Sequence, residues 1–308
     1  NIAAVERETG LSKDTLRVWE RRYGFPQPLR DANDERVYPI EQVEKLRLIR
    51  RLMDQGQRPG KIVAAPMEEL VALLGGDGET AATPAYLGEV PQVLALIREH
   101  QAAALREHLG MTLLRLGLKR FVTEVVAQLN VAVGMEWAQG RIAIFEEHLY
   151  TEQVQHILRH AIGSMPQASS RPRVLLTTLP GEEHQLGLLM AHACMAVEGV
   201  QCISLGVQTP SREIVQAARA HAADVVGLSF SEAMKLNVAV NAVRELRSQL
   251  DSNVELWVGG MVWKRSRKAM DGVKMLSSLE GVTTALEDWR ARANGKATVN
   301  RAPAEEKG

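Results

Sequence analysis

Two ionisable side chains, Glu182 and His184, lie two positions apart in a short loop that leads to Gly187. The loop follows the apolar run 174–176, which is too short for a helix and suits a strand buried on both faces. A proline–glycine pair stops this run, and helical spacing of apolar residues resumes over 185–197. Because ligands of open α/β sheets bind at the carboxyl ends of the strands, the spacing predicts a ligand-binding loop that His184 and Glu182 share.

Strands and helices alternate through the last domain, residues 170–293, and predict a doubly wound parallel sheet, a Rossmann-like α/β fold. The polar tail, 294–308, is expected to be disordered. After the first strand and helix, the predicted strands are 201–205, 224–229, 255–258 and 282–285, and the predicted helices are 211–221, 236–250 and 286–293.

Small and polar residues collect where these strands end. Glycines at such positions let a large ligand approach the backbone, and hydroxyl groups supply hydrogen bonds. A dinucleotide is a poor candidate, since the first turn lacks G-x-G-x-x-G, and the clustered aspartates of a receiver domain are missing from the sequence. The strand-end residues are Thr177, Thr178, Gly206, Thr209, Ser229, Ser231, Gly259 and Gly260.

The first part of the chain, 1–65, predicts a winged helix-turn-helix. A tight turn at Gly10 separates two short helices, and Ser12 is a good N-cap for the second. A polar loop at 31–35 predicts the wing, and an amphipathic helix follows at 40–55. Arginine can bond guanine or phosphate in bidentate fashion, so a basic helical face suits DNA; a protein-interaction module with a solvated basic face is the alternative. The second helix carries Lys13, Arg17, Arg21 and Arg22.

The middle of the chain predicts a linker and then a four-helix bundle. Prolines and glycines over 66–84 indicate a semi-flexible tether, and the helical spacing of apolar residues over 85–165 indicates the bundle. By pattern alone, Trp137 caps the bundle and His148 is a partly exposed helical histidine. The predicted helices are 90–100, 101–109, 111–134 and 140–162.

The composition fits two or three globular domains. Among the 308 residues, 37 basic side chains balance 37 acidic ones, so DNA binding must come from a local basic patch. Cys194 and Cys202 are the only cysteines, which predicts buried thiols in a reducing compartment. The sequence has no apolar run as long as a membrane span and no signal peptide, so a cytoplasmic location is expected.

The N-terminal motif, ETGLSKDTLRVWERRYGFPQP followed by RVYP, resembles the winged helix-turn-helix of the MerR family of transcription regulators. The resemblance implies that double-stranded DNA is a partner and that at least two such heads bind it together. It also implies major-groove contacts by Arg17, Arg21, Arg22 and Tyr23, and a phosphate or minor-groove contact by Arg36 on the wing.

The motif Glu182-x-His184-x-x-Gly187, followed by Ser229 and Gly259-Gly260 at later strand ends, resembles the cobalamin-binding domain, whose usual motif begins with aspartate. The resemblance implies that His184 is the lower axial ligand to cobalt, in place of the dimethylbenzimidazole. The displaced nucleotide tail would enter the sheet edge, and Glu182 would orient the imidazole through a hydrogen bond. From their positions at strand ends, Thr178, Gly206 and Thr209 are expected to contact the cofactor as well.

The order of the three domains resembles that of the CarH and LitR group of light-responsive repressors. In that group the bundle carries a tryptophan, nine residues and then Glu-His, a spacing that Trp137, Glu147 and His148 match. The resemblance implies that these residues, with Ile144, cover the upper face of adenosylcobalamin. It further implies a transcriptional repressor, not an enzyme, that binds DNA as a tetramer in the dark and dissociates when light breaks the cobalt–carbon bond.

Two departures from the group bear on this function. Its best-known members have, after the tryptophan, a histidine that ligates cobalt once the adenosyl group leaves, and this chain has Ala138. A water-bound, a reversible or a His148-ligated state after photolysis is then the expectation. Bulky residues 261–263 follow the glycine pair and are expected to crowd the tail pocket or to favour another chromophore. The alternatives are a regulator that senses another tetrapyrrole or works without cobalamin photochemistry, and a cobalamin-carrying enzyme subunit.

Overall fold

The computed structural model describes residues 1–31, 35–54, 57–75, 88–166, 170–231, 233–265 and 269–299. The chain forms two compact units. The first comprises Asn1–His108 and Glu124–Gln153, and the second comprises Leu109–Thr123 and Val154–Gly308.

Strands alternate regularly with helices only from residue 170 onward. The first helices are α1 (Ile2–Thr9), α2 (Lys13–Tyr23), α3 (Ile40–Asp54), α4 (Pro59–Ile62) and α5 (Met67–Gly75). The middle helices are α6 (Glu89–Arg98), α7 (Ala102–Leu116), α8 (Leu118–Arg120), a π-helical turn (Phe121–Val126), α9 (Ala127–Ala138) and α10 (Ile144–Gly163). The last helices are α11 (Leu186–Val197), α12 (Ser211–Ala220), α13 (Leu236–Gln249), a 3-10 turn (Met261–Arg265) and α14 (Glu280–Val299). The strands are β1 (Leu29–Arg30), β2 (Arg36–Val37), β3 (Ser170–Thr177), β4 (Val200–Gly206), β5 (Val225–Ser229), β6 (Glu255–Gly259) and β7 (Val273–Leu276). Of the helices in the described ranges, none is both long enough and apolar enough to cross a bilayer.

Residues 1–75 form a head with the predicted helix-turn-helix and wing. The Ser12 hydroxyl accepts a hydrogen bond from the Thr15 backbone N–H at 3.2 Å and so caps α2. β1 and β2 pair in antiparallel fashion as the wing. Leu16 and Trp19 of α2 pack with the apolar face of α3 in a buried core, which leaves the basic side chains of α2 on the outer face of that helix.

The predicted linker is shorter in the structure. α4 and α5 pack into the head, where Ile62, Val63 and Leu70 are fully buried. Proline at the start of a helix does not break it, because the first N–H groups have no partner within the helix, and Pro59 stands at such a position in α4. Of the predicted linker, 66–84, the part up to Gly75 contains α5, which packs on the head through Leu70, and the remainder, 76–84, lies outside the described residues.

The helical region from residue 88 to 166 has four main helical segments, but one boundary differs from the prediction. α7 continues through Gly110 to Leu116, and the chain turns at Gly117, whose φ is 77°. A glycine within a helix costs some stability but does not end it, whereas a left-handed φ does. The residues of the region are divided between the two units, so the four-helix bundle stays a prediction.

The second unit contains a five-stranded parallel sheet in the order β4-β3-β5-β6-β7, as the alternation of strands and helices predicts. Residues 174–176 of β3 are buried, as expected for a strand covered by helices on both faces. The strand order reverses between β3 and β5, because β4 lies on the other side of β3. The loops that follow β3 and β5 therefore flank the crevice at which open sheets bind ligands.

The end of the chain differs from the prediction in two ways. The β-branched run at 282–285 predicts a strand, but the last strand is β7 and this run lies in α14. Val282, Ala285 and Leu286 are buried at helical spacing, so their packing overrides the local β propensity. α14 continues to Val299, so the predicted disordered tail is helical as far as that residue, and 300–308 lie outside the described residues.

Candidate functional site

Glu182 and His184 lie in the loop after β3 and are hydrogen-bonded to each other. Ser231, from the loop after β5, is hydrogen-bonded to Glu182. The Glu182 side chain is 1% exposed, and its Oε1 accepts hydrogen bonds from the His184 Nδ1 at 2.8 Å and from the His184 backbone N at 3.0 Å. Its Oε2 accepts one from the Ser231 backbone N at 2.7 Å, and the Ser231 hydroxyl lies 2.9 and 3.0 Å from the two carboxylate oxygens. The buried carboxylate thus orients the imidazole, while 62% of the His184 side chain stays exposed.

Ser231 was predicted as one of the strand-end hydroxyls, but its bond to Glu182 was not predicted. The sequence shows a hydroxyl two positions beyond the end of β5, but spacing alone does not reveal that this loop meets Glu182. The sheet order decides it, because β3 and β5 are neighbours and their carboxyl ends share one edge.

Buried threonines hold this loop in place. The Thr178 hydroxyl donates to the Glu182 carbonyl oxygen at 2.6 Å and accepts from the Gln208 backbone N at 2.8 Å. The Thr177 hydroxyl lies 2.7 Å from that of Thr209. Thr178 and Thr209 were predicted as ligand contacts, and the structure places both in bonds that tie the loop after β3 to the loop after β4.

The surroundings of Glu182 favour its ionised form. Burial raises the pKa of this carboxyl, because a carboxylate loses hydration there. Hydrogen bonds from His184 and Ser231 lower it by more, so the pKa of Glu182 lies below the ordinary value of 4.5. An anion beside Nδ1 keeps the proton of the imidazole on that nitrogen, which makes Nε2 the basic nitrogen of the ring.

Glu182→Gln is expected to lower the free energy of unfolding by about 1–3 kcal/mol near neutral pH, because the donors of His184 and Ser231 lose an anionic acceptor. Because the pKa of Glu182 is lower in the folded than in the unfolded state, its carboxylate stabilises the fold above the unfolded-state pKa. That contribution is lost as the pH falls through the folded-state pKa. The difference between wild type and variant in denaturant unfolding should therefore shrink below about pH 4.5. The exposed neighbour provides the control, Glu183→Gln, and a difference that does not change with pH would contradict this account.

Two of the predicted glycines differ in what surrounds them. A Cβ atom at Gly187 would lie 2.8 Å from the Ser229 hydroxyl, so α11 begins close against the end of β5 only because residue 187 is glycine. At Gly206, whose φ is 80°, no heavy atom lies within 4 Å of the corresponding position among the described residues. Gly187 thus serves the packing of the loop, and Gly206 borders open space.

The chain after β6 turns inward. Gly260 has a φ of 111°, and a Cβ atom there would clash with the Phe230 backbone. Val262 and Trp263 are each 4% exposed and belong to the core of the second unit, whereas Met261 is 40% exposed. Two of the three bulky residues expected to crowd a ligand pocket are therefore buried, and Met261 is the one that is exposed.

The site residues predicted from the helical region lie in the first unit. His148 and His100 line one cavity of about 610 Å³, and the Glu147 carboxylate accepts a hydrogen bond from the Thr151 hydroxyl at 2.8 Å. The Glu147 Oε2 lies 3.7 Å from the His148 Nε2, and Ile144 is 41% exposed. The structure thus brings Glu147 and His148 together. Trp137 is not among the described residues that line the cavity. Its side chain packs against the core of the head.

Ala138 is fully buried in that same hydrophobic core. Two residues further on, a Cβ atom at Gly140 would lie 2.6–2.8 Å from the Glu44 side chain, so the chain after α9 runs closely over α3. A histidine at position 138 would overfill an apolar site and bury an imidazole. Alanine therefore fits this position, at which the resemblance would place a histidine.

The basic side chains predicted to contact DNA lie on the surface of α2 and the wing. Arg21 and Arg22 are exposed, and the Arg22 guanidinium lies 5.4 Å from the centroid of the Tyr23 ring. Surface ion pairs hold the other three; such pairs contribute little to stability and can be exchanged for phosphate. The pairs are Lys13–Glu6 at 3.5 Å, Arg17–Asp14 at 3.4 Å and Arg36–Glu20 at 3.6 Å.

Known proteins match both ends of the chain. Residues 1–65 match the MerR HTH family regulatory protein, and residues 172–276 match the B12 binding domain. The chain is 30% identical over 293 residues to the HTH-type transcriptional repressor CarH of Myxococcus xanthus, across 94% of this chain and 95% of that protein. It is 29% identical over 245 residues to the HTH-type transcriptional repressor CarA of the same organism, across 75% and 76% of the two chains.

A solved structure shares the fold of the larger part of the chain. The monomethylamine corrinoid protein of Methanosarcina barkeri superposes with a TM-score of 0.51 at 17% identity, over 64% of this chain and 96% of that chain. At this identity the likeness concerns the fold alone.

Proposed function

This chain belongs to the family of MerR-type transcriptional repressors that CarH represents, and from this premise we propose that it represses transcription under the control of adenosylcobalamin and light. In the proposal, the dark protein with its cofactor assembles, as a tetramer by the family resemblance, and binds an operator duplex. Illumination breaks up the assembly and releases the DNA.

The observation that carries the proposal is the bond between His184 and the buried Glu182. One imidazole at the carboxyl edge of a parallel sheet, with its Nδ1 bonded to a carboxylate at 2.8 Å, fits the lower side of a corrinoid cobalt. When bound, adenosylcobalamin supplies a cobalt–carbon bond that light can break. The part of this chain is to bind and orient: Glu182 fixes the tautomer and the direction of His184, and Ser231 fixes Glu182.

Other residues complete the proposed cofactor site. The family spacing supports contacts by Trp137, Ile144, Glu147 and His148 on the adenosyl side. In the second unit, glycine and hydroxyl positions at the sheet edge act either by contact or, as with Thr178 and Thr209, by fixing the loops. The proposed residues there are Thr178, Glu182, His184, Gly187, Gly206, Thr209, Ser229, Gly259 and Gly260, to which we add Ser231.

For DNA, we propose that α2 enters the major groove with Arg17, Arg21, Arg22 and Tyr23. Lys13 lies in the first turn of α2 and suits a phosphate contact, as does Arg36 on the wing. An assembly of several heads binds more tightly than one head, because the second binding event becomes intramolecular. Control of assembly by the cofactor is then control of DNA affinity.

A dark and light comparison tests the proposal. The full chain is loaded with adenosylcobalamin in the dark, a duplex is selected from a random pool, and affinity and assembly are measured before and after illumination at one salt concentration. We expect cobalt–corrin absorption bands to co-elute with the protein and the affinity to fall at least about tenfold on illumination, together with the apparent mass.

Arg21→Ala is the control for this experiment. It should lower the affinity in the dark while leaving the absorption spectrum and the assembly unchanged, because Arg21 is an exposed residue of α2. Equal affinity of the wild type in dark and light would refute the role of light. Absence of corrin bands from the purified complex would refute cobalamin as the cofactor and favour another tetrapyrrole.

A further inference from the structure

Trp263 carries a buried donor without a hydrogen-bond partner. Its side chain is 4% exposed, and within the described part of the chain its indole Nε1 meets no acceptor. Trp257, which is buried in β6 of the same unit, differs in this respect, since its Nε1 donates to the Glu255 carboxylate at 2.9 Å. Of these two buried indole N–H groups, that of Trp257 has a hydrogen-bond partner and that of Trp263 has none among the described residues.

An unpaired buried donor is costly and rare in folded proteins. The indole N–H can donate only, so what it lacks is an acceptor, an oxygen or an unprotonated nitrogen. Phenylalanine would keep an aromatic ring in this apolar place without the unpaired donor, although it would fill less of the space. The indole N–H of Trp263 is therefore available to an acceptor on a bound ligand.

Trp263 lies at the ligand edge of the sheet. It follows β6 directly in the 3-10 turn, where its backbone N–H donates to the Gly260 carbonyl at 3.2 Å. Its ring meets the Phe230 ring edge-on, with 5.3 Å between centroids and 89° between planes. Phe230 directly precedes Ser231, which holds Glu182, so Trp263 is one side chain away from the residues that orient His184.

We propose that the Trp263 indole N–H donates a hydrogen bond to an acceptor on the nucleotide tail of the cobalamin. This inference rests on the proposed function and adds a residue that selects corrinoids with a nucleotide tail over those without one. The tail offers phosphate and ribose oxygens and benzimidazole nitrogen, which are acceptors of the kind the indole lacks. Trp263 acts on binding and selectivity, separately from the ligation of cobalt by His184.

Trp263→Phe tests the inference, because it removes the N–H and keeps an aromatic ring. Two probes are compared in the dark by titration: cobalamin, and cobinamide, which has the same corrin ring but no nucleotide tail. We expect the affinity for cobalamin to fall about 5- to 10-fold, as for the loss of one hydrogen bond, and the affinity for cobinamide to stay the same. Phenylalanine is smaller than tryptophan, so the thermal midpoint of the cofactor-free variant is measured as well, to record the loss of buried packing separately from the change in binding.

Trp257→Phe is the matched control. It removes an N–H that already has a partner, so it should lower the thermal midpoint and leave the ratio of the two affinities unchanged. An unchanged affinity of the Trp263→Phe protein for cobalamin would overturn the inference, and so would an equal loss for both probes, which indicates a packing effect. If the wild type binds neither probe, the proposed function itself is wrong, and the inference with it.

Discussion

His184→Ala is expected to lower the affinity of the protein for cobalamin by at least about 100-fold, because loss of an outer hydrogen-bond partner alone weakens a metal site about 10- to 100-fold. The imidazole is the one group of the Glu182–His184–Ser231 cluster that is largely exposed, with 62% of its side chain accessible. The other two serve to hold it. Removing the imidazole therefore removes the proposed contact with cobalt, while Glu182 keeps its bonds to Ser231 and to the backbone N–H of residue 184.

Dark titration monitored by the visible spectrum measures this effect. The spectrum reports the lower ligand separately from the affinity, so a protein that binds the cofactor without histidine ligation can be recognised. His221→Ala, at an exposed position just after α12 in the same unit, is the control and should change neither property. If His184→Ala retains both the wild-type affinity and the wild-type spectrum, the proposed ligation is wrong.

Gly260→Ala is expected to destabilise the second unit by about 4 kcal/mol or more, a large share of the total stability of an ordinary domain. The glycine has a φ of 111°, which side-chain-bearing residues rarely adopt. Its added Cβ would clash with the carbonyl oxygen of Phe230 and lie 2.8–2.9 Å from the carbonyl carbon and the nitrogen of that residue. Backbone atoms cannot move aside as a flexible side chain can, so the ends of β5 and β6 would separate.

Denaturant unfolding of the cofactor-free protein measures this change. Gly259→Ala is the matched control, because its Cβ would meet Leu276 at 3.8 Å, an ordinary contact. We expect a change within about 1 kcal/mol for it. Similar stabilities for the two variants would show that the contact of Gly260 with Phe230 does not limit the fold.

For Gly259 and Gly260, the sequence predicts the position at a strand end correctly but gives only part of the reason for glycine there. The sequence places both glycines at a strand end and predicts that they admit a ligand. In the structure Gly260 is required first by the Phe230 backbone, and the chain beyond it turns into the core with Trp263. The pattern locates the residue, but only the neighbouring strand reveals what the missing side chain makes room for.

The reason for alanine at position 138 also differs between the sequence and the structure. From the sequence it is a missing cobalt ligand next to Trp137. In the structure it is fully buried in the core of the head, 84 residues or more along the chain from α3, which it packs near. No pattern of neighbouring residues indicates that contact, so the reason for alanine at position 138 could not be predicted from the sequence.

The sequence by itself determined the features that depend on near neighbours. Capping at Ser12, helical spacing in α2 and α3, the short buried run of β3 and the Glu182–His184 pair each follow from residues within a few positions of one another, and the structure contains all of them. The parallel sheet also follows, because alternation of strands and helices leaves few other folds.

Only the tertiary structure decided the features that depend on distant partners. Residues 282–285 are helical because Val282 and Ala285 are buried by packing against other elements, which the local β propensity does not take into account. α5 belongs to the head because Leu70 is buried in the core of the head. Ser231 reaches Glu182 because β3 and β5 are neighbours, although 49 residues separate the two side chains. Propensity and spacing act over a few residues, whereas burial and sheet order act over the whole unit. For that reason the loop after β3 could be located from the sequence, and the contacts that hold it could not.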